Sequence, residues 1–218
     1  MNAAALSPGA MALRIDVGHR HEDIERELAA LEARMGRGLY ALQALPIGRP
    51  GLVFRYRVAD GEHYVYAVEA ASGRLAGCTV FNRLVEIDRR ADRHLRAPHS
   101  RYAARWQRRG IATAVYRWWL AAGNCLISGA RQSVGAHALW RSLAREHQLA
   151  YVSLAARKLA WLPPEVPAPV REELGTRLIL FGRGWDRERL AAAGVLPLRA
   201  APAAPARWWR RTARHLEP

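Results

Sequence analysis

The stretch Gln107-Arg108-Arg109-Gly110-Ile111-Ala112 joins a strand-like segment, residues 98–106, to an apolar helical segment, residues 111–120. Gly110 has no Cβ, so the backbone can turn tightly there and a ligand can approach closely. A helix that opens between residues 109 and 113 has amide donors without intrahelical partners, and they point forward together with the positive end of the helix dipole. A helix start of this kind is typical of anion sites.

Three arginines surround this turn. Arg105, Arg108 and Arg109 lie close together in the sequence, and a guanidinium can hold a phosphate through two parallel hydrogen bonds. Ala112, two residues after Gly110, is nearly as small as glycine. The stretch therefore predicts a phosphate-binding loop.

The pattern Gln-x-x-Gly-x-Ala between a strand and a helix resembles the coenzyme A loop of the GNAT superfamily, the acyl-CoA-dependent N-acyltransferases. A strand meander precedes the loop at residues 52–84, and a second strand–helix pair follows it at residues 125–146. The resemblance implies an α/β (α+β) fold with a mixed, mostly antiparallel central sheet flanked by helices. It also implies that strands 98–102 and 125–128 run parallel and splay apart, with the pantetheine arm of the cofactor in the gap.

The resemblance further implies an activity, the transfer of an acetyl or other acyl group from acetyl-CoA to an amine. The amine attacks the thioester directly, without an acyl-enzyme, and backbone donors near residues 102–104 polarise the carbonyl. The sequence does not name the acceptor, although an acidic one suits the basic surroundings. The residues implied to bind acetyl-CoA are Tyr102, Ala103, Ala104, Arg105, Gln107, Arg108, Arg109, Gly110, Ile111, Ala112, Thr113 and Ser133.

The catalytic candidates are Glu86, Tyr102 and Ser133. In many family members the second helix begins with Asn, and a Tyr seven residues later protonates the leaving thiolate. Here Ser133 and Trp140 stand at these two positions, and an indole has no usable acid proton.

Other groups can supply or accept the proton. Ser128 and His137 join Tyr102 and Ser133 as fallback donors. An ammonium must lose a proton before it attacks, so Glu86 and Asp88, in the polar segment 84–98, are base candidates. That segment is too charged to be core, and we expect a solvated loop or hairpin tip, or a lip that faces the acceptor.

The strong positive charge of the chain suggests a second hypothesis about its function. The chain has a formal charge of +15 and a pI near 11.2, which favours nucleic acids, acidic proteins or nucleotides as partners. Segment 83–117 has ten Arg against three acidic residues. The alternative function is therefore a catalytically degenerate protein of the same fold that binds nucleic acid or an acidic partner. Arginine-rich usage that merely reflects genome composition is equally compatible with these counts.

The chain has 218 residues, enough for one domain with appendages. We expect a flexible lead at 1–19, a single acyltransferase-like domain at 20–198, and an Ala/Pro linker with a basic Trp/Arg tail at 199–218. No apolar run is long enough to span a membrane, and a cytoplasmic location is the expectation.

Cys78 and Cys125 lie in predicted buried strands, where a free thiol behaves as a small hydrophobe. Neither a metal site nor a disulfide framework is expected. A nucleophilic role for Cys125 is disfavoured, because no activating base is near in sequence.

Periodicity predicts the remaining elements. An amphipathic helix at 21–35 has an acidic face that we expect to be solvated. Asp60-Gly61 predicts a tight turn between strands 52–58 and 63–69. Further elements are predicted as strands at 74–84, 151–154 and 177–181, helices at 134–146 and 185–193, and a Pro-rich loop at 161–169.

Overall fold

The computed structural model describes residues 21–198, so the predicted lead and tail lie outside the described residues. The helices are α1 His21–Met35, α2 Gly38–Ala41, α3 Arg89–His94, α4 Ile111–Ala121, α5 Val134–Leu143, α6 Ala168–Arg171 and α7 Arg187–Ala192. The strands are β1 Gln43–Leu45, β2 Leu52–Ala59, β3 Glu62–Glu69, β4 Leu75–Asn82, β5 Leu95–Tyr102, β6 Cys125–Ile127, β7 Leu149–Ala155, β8 Lys158–Trp161 and β9 Thr176–Leu180. Within this range no helix is both long and apolar enough to cross a bilayer.

The strands form one sheet in the order β1-β2-β3-β4-β5-β6-β9-β7-β8. Between residues 21 and 198 the β5–β6 pair is parallel, and each of the other neighbouring pairs is antiparallel. A helical crossover, α4, joins the parallel pair, as parallel strands require. The predicted fold class, a mixed and mostly antiparallel sheet flanked by helices, is confirmed.

The β2–β3 turn is also as predicted. Asp60 and Gly61 have φ angles of 55° and 76°, and two consecutive residues in this region form the tight hairpin turn that matches the twist of the flanking strands. The register that follows pairs Ala59 with Glu62 and continues to Leu52 and Glu69. This pairing anchors the meander that ends in β5.

The parallel pair is short and opens along its length. Leu95 and Arg96 pair with Cys125 and Leu126, after which β5 follows β4 as far as Tyr102 while β6 continues with β9. The splay predicted for segments 98–102 and 125–128 is therefore present. The contact between the two strands is made earlier in β5 than predicted, because β5 begins at Leu95, and the strand ends at Tyr102 before a 3₁₀ turn at Ala104–Trp106.

The two faces of the sheet bury different helices. Val65, Ala67 and Phe81 face the cluster that contains Val115 and Trp119 of α4. Alternate residues of the same strands point the other way and meet α1 in a second cluster. Trp119 is buried and stacks on Phe81 with ring centroids 4.1 Å apart, so it is a core residue.

The acidic face of α1 is exposed at Glu22, Glu25 and Glu27, as predicted, but several of its carboxylates also bind other parts of the chain. Glu25 accepts a hydrogen bond from the Ala104 amide at 3.0 Å, and Glu32 accepts one from the Leu75 amide at 3.2 Å. Glu27 forms an ion pair with Arg101. Two carboxylates of the helix therefore bind backbone amides, one at the start of β4 and one just after β5.

The polar segment 84–98 is more ordered than a loop. Ile87 just before α3, Ala91 within it and Leu95 at the start of β5 are all buried. Asp92 is buried as well, and it accepts hydrogen bonds from the Leu84 amide at 2.9 Å and from Arg83 Nε at 2.8 Å. The prediction that this segment holds no core was therefore wrong.

Candidate functional site

The loop between β5 and α4 turns through two left-handed residues. Arg108 has a φ of 57° and Gly110 a φ of 70°. Gly110 is the N-cap of α4, which begins at Ile111, and no side chain caps the first amides of the helix. The helix start lies within the predicted interval. Its first-turn amides remain available to a ligand, and an anion is the ligand they favour.

Gln107 shapes this loop. Its Nε2 donates a hydrogen bond to the Tyr102 carbonyl at 2.9 Å, so the loop is tied back to the last residue of β5. Gln107, the first residue of the Gln-x-x-Gly-x-Ala stretch, therefore has a structural role. It holds the backbone of the loop in front of α4.

Arg49 is a site residue that the sequence did not indicate. It lies between β1 and β2, and its Nη2 donates to the Gly110 carbonyl at 3.0 Å. Its Nε is buried and has no hydrogen-bond partner among residues 21–198. The two residues are 61 positions apart, and neither periodicity nor a motif links them. Arg49 brings a cation to the start of α4.

The three arginines predicted to surround the loop differ in the contacts that they make. Arg105 forms an ion pair with Glu69, and the indole Nε1 of Trp106 donates to the same carboxylate at 2.7 Å. These contacts, the Trp106 hydrogen bond above all, lower the pKa of Glu69. Arg109 lies over the Trp106 ring at 5.0 Å, and Arg108 is exposed. Arg105 is therefore already paired, whereas Arg108 and Arg109 are better placed to meet an anion.

The backbone donors predicted near residues 102–104 are engaged with protein. The Ala103 amide donates to the Ala76 carbonyl at 2.9 Å, and the Ala104 amide donates to Glu25. An oxyanion contact from either amide would require that bond to break. The predicted polarising role does not fit these two residues in this conformation.

Tyr102 lies in a buried cluster of hydroxyl groups. Its OH is 2.8 Å from Thr79 Oγ1, which is also 2.7 Å from Ser100 Oγ, and Ser100 donates to Tyr116 OH at 3.4 Å. Burial raises the pKa of Tyr102 far above its usual range and that of Tyr116 to about 12. A phenol with so high a pKa is a poor proton donor to a thiolate near neutral pH, so the structure disfavours Tyr102 as the acid.

The base candidates Glu86 and Asp88 have other partners. Glu86 is 62% exposed and its Oε2 lies 3.2 Å from Arg177 Nη2 of β9. Asp88 is the N-cap of α3 and accepts hydrogen bonds from the Arg90 and Ala91 amides. In the sequence both carboxylates precede β5, whereas the loop between β5 and α4, residues 103–110, which we call the α4 loop, follows it.

Ser133 and Trp140 occupy the two ends of the α5 pattern. Ser133 is the N-cap of α5, and its Oγ accepts a hydrogen bond from the Ala136 amide at 3.2 Å. Trp140 is 3% exposed and belongs to the core cluster shared with α4. The indole therefore has a packing role. Ser128 is buried, and its Oγ accepts a hydrogen bond from the Leu178 amide at 2.9 Å.

Two polar side chains at the start of α5 were missed or undervalued: Gln132 just before the helix and His137 within it. Gln132 is 4% exposed, and neither its amide nitrogen nor its oxygen has a partner among the described residues. The same holds for Nδ1 of His137. Burial, and secondarily the charge of Arg141, lowers the pKa of His137. Unpaired buried polar groups are uncommon, so these atoms need a partner, such as a water or a ligand, that the described residues do not supply.

Cys78 and Cys125 are buried as predicted. Burial raises the pKa of both thiols to about 11, which leaves roughly one thiolate in a thousand at pH 8. We expect iodoacetamide to leave both cysteines unmodified in the folded protein over a time that fully alkylates the chain in urea. Mass spectrometry reads the result, and rapid native alkylation of Cys125 alone would restore it as a nucleophile.

Comparisons with known proteins give a structural likeness. No protein-family model matches the chain, and no curated protein matches it. Among solved structures it is similar to a GNAT superfamily phosphinothricin acetyltransferase from Sinorhizobium meliloti, determined in complex with acetyl-CoA. The TM-score is 0.35 and the identity 15%, over 80% of this chain and 90% of that one. The roles proposed below rest on the geometry of the chain itself.

Proposed function

We propose that the protein is an N-acyltransferase that transfers an acetyl or other acyl group from acetyl-CoA to an amine. The observation that carries the proposal is the opening between β5 and β6, which pair at only two positions and are joined by a helix whose first amides are uncapped. An extended, amide-containing arm fits between separated strands, and a pyrophosphate fits at the start of the helix. Acetyl-CoA has both parts.

The pyrophosphate would be held by the amides of Ile111, Ala112 and Thr113. Arg49, with its unpartnered Nε, and Arg108 lie beside the same helix start and would supply charge-assisted hydrogen bonds. A Cβ built on Gly110 would lie 3.2 Å from Arg49 Nη2, so the glycine keeps the space in front of this arginine clear. The residues present fit the phosphate end of the cofactor.

The acyl end would lie near Gln132. This side chain lies between β6, which ends at Ile127, and α5, which begins at Val134, and its amide can both donate and accept. A pantetheine amide or the thioester carbonyl would satisfy it, since each offers a complementary group. In this proposal the side-chain amide of Gln132 polarises the thioester carbonyl, because the backbone amides of Ala103 and Ala104 already donate to other groups.

The chemical step is direct attack. The neutral amine nitrogen forms a bond to the thioester carbon, the carbon–sulfur bond breaks, and CoA leaves as the thiolate. The nitrogen loses one proton to give the amide, and the thiolate takes up one proton to give the CoA thiol. The ammonium form of the acceptor first loses a proton to a base. His137 is the better base candidate than Glu86 or Asp88, because its lowered pKa keeps the ring neutral at pH 7 and its Nδ1 has no protein partner among the described residues.

The His137 assignment predicts a change in the pH profile. We expect the acetyl-transfer rate of the wild type to rise with pH through an apparent pKa below 6.5, as His137 loses its proton. His137→Asn should remove this limb and lower kcat by roughly 100-fold, the usual scale of general base catalysis. The assay is acetyl transfer to a pool of small amines, with kcat measured from pH 5 to 9.

His147→Asn is the matched control, since burial also lowers the pKa of His147 and the residue lies beyond the end of α5. It should keep the acidic limb and the wild-type rate. An unchanged profile in His137→Asn, with acetyl-CoA affinity retained, would remove His137 from the mechanism.

A further inference from the structure

A basic cavity lies at the end of the sheet opposite the start of α4. It has a volume of about 410 Å³ and is bounded by the β2–β3 turn, the end of β4, helix α3 and the start of β5. We refer to it as the α3 cavity. Its lining residues are Gly61, Arg83, Arg89, Asp92, Arg93 and Arg96.

The α3 cavity contains four arginines and one carboxylate, and that carboxylate is already used. Asp92 Oδ2 accepts from Arg83 Nε at 2.8 Å, and its Oδ1 accepts from the Leu84 amide at 2.9 Å and lies 3.3 Å from Arg96 Nη1. Asp92 therefore orients two of the arginines. It leaves the cavity with three positive charges in excess of its negative ones.

Arg96 is the most constrained of the four. Its side chain is 14% exposed, and its Nε is buried with no partner in the part of the chain that the structure describes. Burial lowers the pKa of Arg96, Asp92 and Glu62 act in the opposite direction, and the charge of Arg83 lowers it further. A buried cation in such surroundings is stabilised by a further anion.

The other two arginines are open to a ligand. Arg89 and Arg93 are one turn apart on α3, so their side chains lie on the same side of the helix. Both are exposed. Within residues 21–198, neither guanidinium makes a hydrogen bond or an ion pair in the structure. The cavity therefore has two arginines that Asp92 orients, Arg83 and Arg96, and two exposed arginines, Arg89 and Arg93, that are available to bind an anion.

We infer that the α3 cavity binds the phosphoryl group of a small phosphorylated molecule. Guanidinium groups match phosphate oxygens in pairs, and the cavity falls within the usual size of small-molecule sites. Proteins that bind a nucleic acid strand instead use a groove with aromatic side chains on which the bases stack, and none of the described residues that line this cavity is aromatic. The site is separate from the α4 loop and does not depend on the proposed activity.

The test is calorimetric titration of the full chain with inorganic phosphate and with pyrophosphate, at constant ionic strength. The variant is Arg89→Gln with Arg93→Gln, which should leave the fold intact because both side chains are exposed. The control is Arg90→Gln on the same helix, because Arg90 lies against Gly194 instead of lining the cavity. We expect saturable binding to the wild type and to the control, and a loss of roughly tenfold or more in affinity in the double variant.

Three outcomes would overturn the inference. They are no saturable binding of either anion to the wild type, equal weakening in Arg90→Gln, and a single-stranded oligonucleotide that binds far more tightly than pyrophosphate and depends on Arg89 and Arg93. Acetyl-CoA titrated in parallel keeps the two proposals apart. If the double variant loses acetyl-CoA while the Gly110 variants described below keep it, the cavity remains a phosphoryl site and the α4 loop loses its proposed role.

Discussion

Gly110→Asp should reduce the affinity for CoA and acetyl-CoA by about 100-fold or more. The new carboxylate would stand in front of the first amides of α4, where the proposed pyrophosphate approaches, and like charges a few ångströms apart at a protein surface repel by several kcal/mol. It would also pair with Arg49, whose Nη2 lies 3.2 Å from a Cβ at this position. Calorimetric titration with CoA measures the loss.

The fold should survive this change. Gly110 has a φ of 70°, and Asp and Asn adopt this left-handed region more readily than other residues with a side chain. A carboxylate at a helix start is also favourable for the helix itself. Thermal unfolding of Gly110→Asp should therefore remain close to that of the wild type.

Gly110→Asn is the control, because it has the same shape without the charge. We expect it to weaken CoA binding by about tenfold or less, since only crowding remains. Replacing Arg108 and Arg109 together by Ala should also weaken binding less than Gly110→Asp, because the amides and Arg49 stay in place. Equal affinities in the wild type and in Gly110→Asp would contradict a phosphate site at the α4 loop.

Trp140→Ala should lower the free energy of unfolding by about 3–5 kcal/mol, the usual result of removing a buried large aromatic side chain. The indole is 3% exposed in the cluster between α4, α5 and the sheet. The conservative Trp140→Tyr removes less volume and should lower it by about 1–2 kcal/mol. Urea denaturation followed by fluorescence measures both.

This result bears on the missing acid. Trp140→Tyr would raise or preserve turnover only if the indole were not needed for packing. Because Trp140 is buried in the core, we expect that it is needed. Val134→Ala is the control on the same helix, since Val134 is exposed, and it should change stability by less than about 0.5 kcal/mol. A stability loss below about 1 kcal/mol in Trp140→Ala would show that Trp140 is not a core residue.

Much of the fold was predictable from local patterns. Helix α1 runs over His21–Met35, the limits that its apolar spacing and its terminal Gly36 indicate. The Asp60-Gly61 turn placed β2 and β3 with errors of one residue at most. Both signals are local, because helix periodicity and the backbone angles of a tight turn are properties of a few adjacent residues.

Short elements were missed for the converse reason. Helices α2 and α6 have four residues each, α3 has six, and strands β1 and β8 have three and four. Such segments show at most two periods of any pattern, so local periodicity does not reveal them and the surrounding fold places them. Helix α3 is the clearest case, since Ala91 is its one buried apolar residue and it stands among charges.

The candidate site also has parts that local sequence patterns predict and parts that they do not. The loop with Gly110 before a helix was predictable because its residues are consecutive. The contact of Arg49 with Gly110, the capture of the Ala104 amide by Glu25 and the unpaired amide of Gln132 arise only when distant segments meet. Sequence patterns therefore located the proposed phosphate end of the site better than its proposed chemical end.

The most direct measurement is calorimetric titration of the full-length protein with acetyl-CoA, in parallel for the wild type, Gly110→Asp and Gly110→Asn. A phosphate site at the α4 loop predicts saturable binding to the wild type, somewhat weaker binding to Gly110→Asn, and no measurable binding to Gly110→Asp. Absence of binding to the wild type, or binding that Gly110→Asp leaves unchanged, would contradict it.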